Sequence, residues 1–371
     1  MKKVYARILT FSLVAVLAAA VTVTAVILAK GKESEPVAKF DRPVETDSTI
    51  RTVMKKGINF EGLEDSRKSS SFIDEESTYK DIASKGFDHI RLPVDFRHFA
   101  DENGVLPDSF YKRLDKIIKM ANDNGLAISL DFHSWWDFNL ANGDDELFYS
   151  IWENVATHYK DYDTTMLAFE LINEPHTTEG GDLDMDNLNI IQRKAIEIIR
   201  GITPDRTIVL ATAEWNGSWT LENFTLTDYD NVYVAVHSYA PLEFTHQGMA
   251  WMGTQDVHIA MSDFNAEYGT VRSALIRDLR NIPKFEERTG MSVILNEFGL
   301  NTSGHISDED VQNYLSAAVN YLNERDISWS YWAYNGAFGL YRQSFFGKGG
   351  SWREVPLNAI LPQAEATNQA E

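Results

Sequence analysis

Residues 166–172 read MLAFELI, and they run straight into Asn173-Glu174-Pro175. The first part is almost continuously apolar, which is expected of a parallel strand buried on both faces. The same pattern recurs along the chain. GINF starts at Gly57, HIRLPV at His89, LAISLDF at Leu126, TIVLA at Thr207, VYVAV at Val232, SVILN at Ser292 and SWSYWA at Ser328. With the first run that makes eight candidate strands. Helical patterns lie between them. In residues 108–124 the apolar positions Phe110, Leu114, Ile117, Ile118 and Ala121 recur at intervals of three and four, and Gly125 follows as a stop signal. A second such stripe, Val311, Leu315, Ala318, Val319 and Leu322, follows Asp308. Eight β-then-α units predict an α/β fold, a closed (β/α)8 barrel of the TIM type in one domain. The alternative, an open doubly wound sheet, is weakened because no Gly-rich phosphate loop follows the first strand.

The C-terminal ends of these strands are polar. Arg91 interrupts HIRLPV, His133 follows LAISLDF, and Asn173 and Glu174 follow MLAFELI. His237 and Tyr239 follow VYVAV, Asn296 and Glu297 close SVILN, and Trp332 lies at the end of the last run. In a barrel all of these ends meet on one face, where active sites sit. Two glutamates, each preceded by Asn and each ending an apolar strand, suit glycoside cleavage. One must give a proton to the leaving oxygen, and the other must attack the anomeric carbon as a carboxylate. Taken singly, each residue has a plainer reading: a surface glutamate, a structural arginine, a core histidine. His133, His158 and His237 lack the tight spacing of a zinc site, and no HExxH pattern is present, so no metal is expected. Trp135, Trp136 and Trp215 are candidates to stack on sugar rings beside Trp332, although each could equally be core. The segments around residues 215–226 and 241–270 are long and aromatic, and are expected to form loops over the active face.

These residues resemble glycoside hydrolase family 5, over roughly residues 57–361. Leu171-Ile172-Asn173-Glu174-Pro175 looks like the family's LxNEP element, and Glu297-Phe298-Gly299 like its late EFG element. Ile90-Arg91-Leu92-Pro93, His133, His237-Ser238-Tyr239 and Trp332 match its remaining site positions in order. The resemblance implies a retaining mechanism, with Glu174 as acid/base, Glu297 as nucleophile and no cofactor. It also implies supporting roles. Asn173 would meet the 2-hydroxyl, Arg91 and Tyr239 would hold the nucleophile, and His237 would sit beside the acid. His133 would bind sugar hydroxyls, and Trp332 would form the floor under a ring. The stretch from Tyr239 to Gly248, YAPLEFTHQG, resembles a loop of some bacterial endoglucanases. β-1,4-Glucan is therefore the first expected substrate and mannan or glucomannan the second. A non-catalytic carbohydrate-binding barrel is the distant alternative, and retention of both glutamates argues against it.

Bulk properties favour a neutral or cationic partner. The formal net charge of −21 argues against nucleic acid, which needs a basic face. There is no cysteine, hence no disulfide and no thiolate chemistry. Lys2, Lys3 and Arg7 precede an uncharged run over residues 8–29. Residues 1–30 therefore read as a signal peptide or an N-terminal membrane anchor, either of which exports the remainder. Residues 31–50 read as a linker, 51–362 as the catalytic domain and 363–371 as a disordered tail. A monomer is expected.

Overall fold

In the computed structural model the described residues are 49–63, 71–133, 140, 145–177, 183–267, 269–344 and 349–362. Eight parallel strands close into a barrel: β1 (Lys56–Asn59), β2 (His89–Val94), β3 (Ala127–Phe132), β4 (Leu167–Glu170), β5 (Ile208–Ala211), β6 (Val232–Ser238), β7 (Val293–Phe298) and β8 (Ser328–Tyr331). Each strand pairs with its sequence neighbour, and β1 closes the ring against β8. All eight fall on the runs picked out in the sequence. Apart from half-buried Lys56, every strand residue is buried, because barrel side chains face either the packed interior or the helical layer.

The outer layer is built from α1 (Glu76–Lys85), α2 (Asp108–Asp123), α3 (Asp145–His158), α4 (Met185–Ile202), α5 (Val271–Leu279), α6 (Asn281–Thr289), α7 (Asp308–Asn323) and α8 (Glu354–Ile360). Helix α2 buries the stripe Phe110, Leu114, Ile117, Ile118 and Ala121. It ends where Gly125 turns left-handed at φ +74° and the Leu126 N–H reaches back to the Ala121 carbonyl at 2.9 Å. Helix α7 starts on Ser307, whose hydroxyl accepts from the Asp310 N–H, with three acids in the first turn to favour the helix dipole.

The alternation departs from eight equal units after β5, and again after β6, which is followed by both α5 and α6. After β5 there is no long helix, only a short turn over Ala213–Asn216 and a 3-10 helix over Ser218–Asn223. Glu214, Trp215 and Asn216 have φ of +53°, +64° and +54°, a backbone that cannot continue as a right-handed helix. Helix α6 helps to close the gap: Phe285 meets Phe224 edge-on at 5.7 Å, and Arg288 donates to the Leu221 carbonyl at 2.8 Å.

The bottom of the barrel, at the N-terminal ends of the strands, is stoppered by the chain itself. A single turn, Thr49–Thr52, puts Ile50 at 0% exposure against Ala127, Val209, Tyr233 and Ile294. Arg51 binds Glu286 at 2.7 Å and Ser292 at 3.2 Å, so the stopper is tied as well as packed. The end of the expected linker is thus part of the folded body. No helix among the described residues is long and apolar enough to cross a membrane, and residues 8–29 lie outside them.

Candidate active site

Strand β2 supplies the centre of the site. Arg91 is completely buried, and its guanidinium must be paired there. Nε and Nη2 grip Glu170 at the end of β4, at 2.9 and 2.7 Å, while Nη2 also meets Asp131 at 3.0 Å and Asn173 Oδ1 at 2.8 Å. Nη1 donates to Asn59 Oδ1 at 3.0 Å and to Glu297 Oε1 at 2.5 Å. One cation on β2 therefore orders side chains from β1, β3, β4 and β7.

Glu297 reaches this cluster because of a β-bulge. Between β6 and β7 the pairing runs Val236 to Leu295 and then His237 to Glu297, so Asn296 is the extra residue. Asn296 donates to Glu170 at 2.8 Å while the next residue, Glu297, meets Arg91. An unbroken strand would send two successive side chains to opposite faces. The other oxygen of Glu297 accepts from the Tyr239 hydroxyl at 2.9 Å. Gly299, two residues on, cannot carry a side chain, since a Cβ there would lie 2.4 Å from the Trp332 carbonyl oxygen.

Glu174 sits just past β4 with φ +45°, a conformation that costs a non-glycine residue about 1–3 kcal/mol. Its Oε1 lies 2.8 Å from His237 Nδ1, and its carbonyl accepts from His176 Nδ1 at 2.8 Å. Burial pushes the Glu174 carboxyl above the usual range, with His133, Arg91 and His176 pulling the other way. Burial holds His237 down to about 4, so the imidazole is neutral near pH 7 although Glu297 lies 3.6 Å from it. Burial also raises Asp131, to about 7, opposed by Arg91 and helped by Glu174. Three carboxyls, Asp131, Glu170 and Glu297, thus share one guanidinium with Glu174 close by, an arrangement that favours retention of a proton.

One oxygen of Glu174, one of Glu297 and a ring nitrogen of His237 all lie within 4.8 Å of one another. Such a trio could in principle hold a cation, but Arg91 already supplies positive charge to Glu297.

A model of the cellulase family, glycosyl hydrolase family 5, matches residues 51–338. This chain belongs to that family. Endoglucanase 3 of Fibrobacter succinogenes is 26% identical over 333 residues, covering 77% of this chain and 50% of the relative. The chain thus spans about half the length of that protein. Among solved structures, the Clostridioides difficile protein described as clostridial cellulose synthase subunit Z is 26% identical with a TM-score of 0.73, covering 83% of this chain and 99% of the other. Thermotoga maritima Cel5A, solved with cellobiose, is 28% identical with a TM-score of 0.72, covering 85% and 100%. The same protein has been solved with mannotriose, at 27% identity and a TM-score of 0.71 over the same shares.

In this family 5 barrel, the sequence-predicted residues Arg91, His133, Asn173, Glu174, His237, Tyr239 and Glu297 come together. His133 accepts or donates at Asp131 through Nδ1 at 2.7 Å and faces the Asn173 amide through Nε2 at 3.2 Å. Half-buried Trp332 lies parallel to the His133 ring, 6.0 Å away at 16°. Trp215 is 46% exposed and stacks on His176 at 3.6 Å and 10°. Trp135 and Trp136 lie outside the described residues. The sequence reading missed Glu170, Asp131 and Asn59. The two acids carried a usable signal, since each is a charge inside an otherwise apolar strand and so had to be paired. Asn59 and Asn216 carried none.

Proposed function

We propose that the protein is a retaining endo-β-1,4-glucanase in which Glu174 is the acid/base and Glu297 the nucleophile. The observation that carries this reading is the spacing of the pair, whose oxygens approach within 4.8 Å. Carboxyl groups about 5–5.5 Å apart suit direct attack on the sugar, whereas inverting enzymes keep roughly 6.5–9.5 Å for a water.

In the first half-reaction Glu174 gives its proton to the glycosidic oxygen, the C1–O bond breaks, and Glu297 Oε bonds to C1. In the second, the Glu174 carboxylate takes a proton from water, the water oxygen attacks C1, and Glu297 leaves. The surroundings are matched to these roles. Glu297 has a donor on each oxygen, Arg91 and Tyr239, while Glu174 is half-buried beside a neutral imidazole. The Asn173 amide is fixed by Arg91 and His133, where it can meet a 2-hydroxyl. Trp332 and Trp215 offer ring faces for stacking, and His133 offers a polar edge.

Glucan is favoured by a Fibrobacter relative named as an endoglucanase and by the cellobiose complex of the Thermotoga enzyme. A second reading, mannan or glucomannan, is supported because that same enzyme was solved with mannotriose. We further infer export through residues 1–30, testable by N-terminal sequencing of the protein recovered from membranes and from medium.

The function is tested by following viscosity and reducing ends together on carboxymethylcellulose and glucomannan. Fast viscosity loss with few new ends is expected, with the β-anomer formed first by NMR. Glu174→Ala and Glu297→Ala should each abolish it. Activity surviving either substitution would remove that residue from the mechanism, and an α-anomer first would exclude retention.

A further inference from the structure

We propose that Asn216 is a positioning residue for the proton of Glu174, acting through the tautomer of His237. The inference rests on the assignment of Glu174 as acid/base and says how that acid is kept charged with its proton.

His237 is buried and neutral, so its ring carries one N–H. Nδ1 lies 2.8 Å from Glu174 Oε1. If the proton is on Nδ1, the ring donates to Glu174 and favours the carboxylate. If it is on Nε2, the Nδ1 lone pair accepts from the protonated carboxyl and favours the acid. After that proton has gone to the leaving group, the same lone pair makes Glu174 a stronger base toward water. The choice is therefore made at Nε2, and the Asn216 amide is there, 3.5 Å away and completely buried.

With Nδ2 toward the ring, Asn216 Oδ1 is buried without a hydrogen-bond partner. A half turn of the amide gives Oδ1 the Nε2–H as its donor, which removes that defect and fixes the acid-favouring tautomer. The backbone supports the same conclusion. Asn216 is the last of three successive left-handed residues, and Asn tolerates that conformation better than most side chains. This segment is fastened to both members of the proton pair. The Trp215 N–H donates to the carbonyl of Pro175, next to Glu174, at 3.3 Å, and Gly217 forms a β-bridge with His237 itself. Ser218 and Ser238 both donate to Asp278, tying the segment to the residue after His237.

The test compares two substrates by kcat/KM, which reports the first half-reaction. A cello-oligosaccharide needs the acid, whereas 2,4-dinitrophenyl β-cellobioside does not. Glu174→Gln should lower the first by ~10²-fold or more and leave the second nearly unchanged. Asn216→Gly accepts the positive φ and deletes the amide. It should lower the oligosaccharide value by about tenfold, spare the aryl glycoside, and move the alkaline limb about one unit toward acid. Asn216→Asp, which keeps an acceptor, should restore the limb. Independently of any variant, 15N shifts of His237 in the wild type should report the Nε2–H tautomer. An Nδ1–H tautomer, an unmoved limb, or equal loss on both substrates in Asn216→Gly would overturn the proposal. Equal loss on both substrates in Glu174→Gln would overturn the assignment of Glu174, and this inference with it.

Discussion

At the residue level, the two glutamates differ in what surrounds them more than in where they lie. The Tyr239 hydroxyl donates to Glu297 Oε2, so Tyr239→Phe removes that donor without changing the packing of the ring. We expect kcat/KM to fall by ~10²-fold, as for loss of one aimed donor, with folding unchanged by circular dichroism. A value within threefold of wild type would mean that Arg91 alone suffices. Because burial raises the Glu174 carboxyl, hydrolysis of unactivated substrates should decline only as pH rises above the ordinary carboxylate range. Most of these residues were legible in the sequence because they stand where an apolar strand stops. Glu170 and Asp131 stand within the apolar runs of sequence and were passed over, although they fix the orientation of Arg91. Asn216 was beyond reach, since its role depends on a backbone turn with no sequence signature.

At the level of elements, all eight strands could be found from their apolar runs, because a strand buried on both faces has little room for polar residues. The bulge at Asn296 could not, since it is a mismatch between two strands and neither sequence alone encodes it. The segment after β5 was expected to be a loop, and it holds only a short turn and a 3-10 helix; its left-handed backbone at Glu214, Trp215 and Asn216 was not legible, because tertiary contacts impose it. The first half of the turn Thr49–Thr52, Thr49 and Ile50, was read as the end of the linker because the stretch before it is polar. Its contribution is measurable. Ile50→Ala should destabilise the domain by about 2–5 kcal/mol, read from urea unfolding, because the cavity would open in a rigid barrel floor. Activity per folded molecule should be unchanged, since the site is at the opposite end. A loss under 0.5 kcal/mol would show that the turn is packed but not needed.

For the molecule as a whole, acid stability should be governed by buried histidines. His237 and His246 are both held down to about 4 by burial, against an unfolded value near 6.5. The unfolded chain binds their protons first, so the stability they contribute is full above about pH 6.5 and is lost as pH falls toward 4. Raised carboxyls such as Asp131 act in the opposite sense, losing stability as pH rises toward 7. The melting temperature should therefore pass through a maximum in mildly acidic solution. Replacing His246 by Asn should flatten the acid side of that curve, and an unaltered slope would show that His246 does not contribute.

The floor turn at residues 49–52 also decides how the domain can be handled as a material. The chain enters at the closed end, while the catalytic mouth opens at the other. Grafted to a bead through a tether ahead of Thr49, the enzyme would present its open face outward, and long polymers could reach it without meeting the support. Coupling through surface lysines, in random orientations, would bury a share of the mouths. The gap in rate between the two preparations, on polymer but not on a short oligosaccharide, would measure that share.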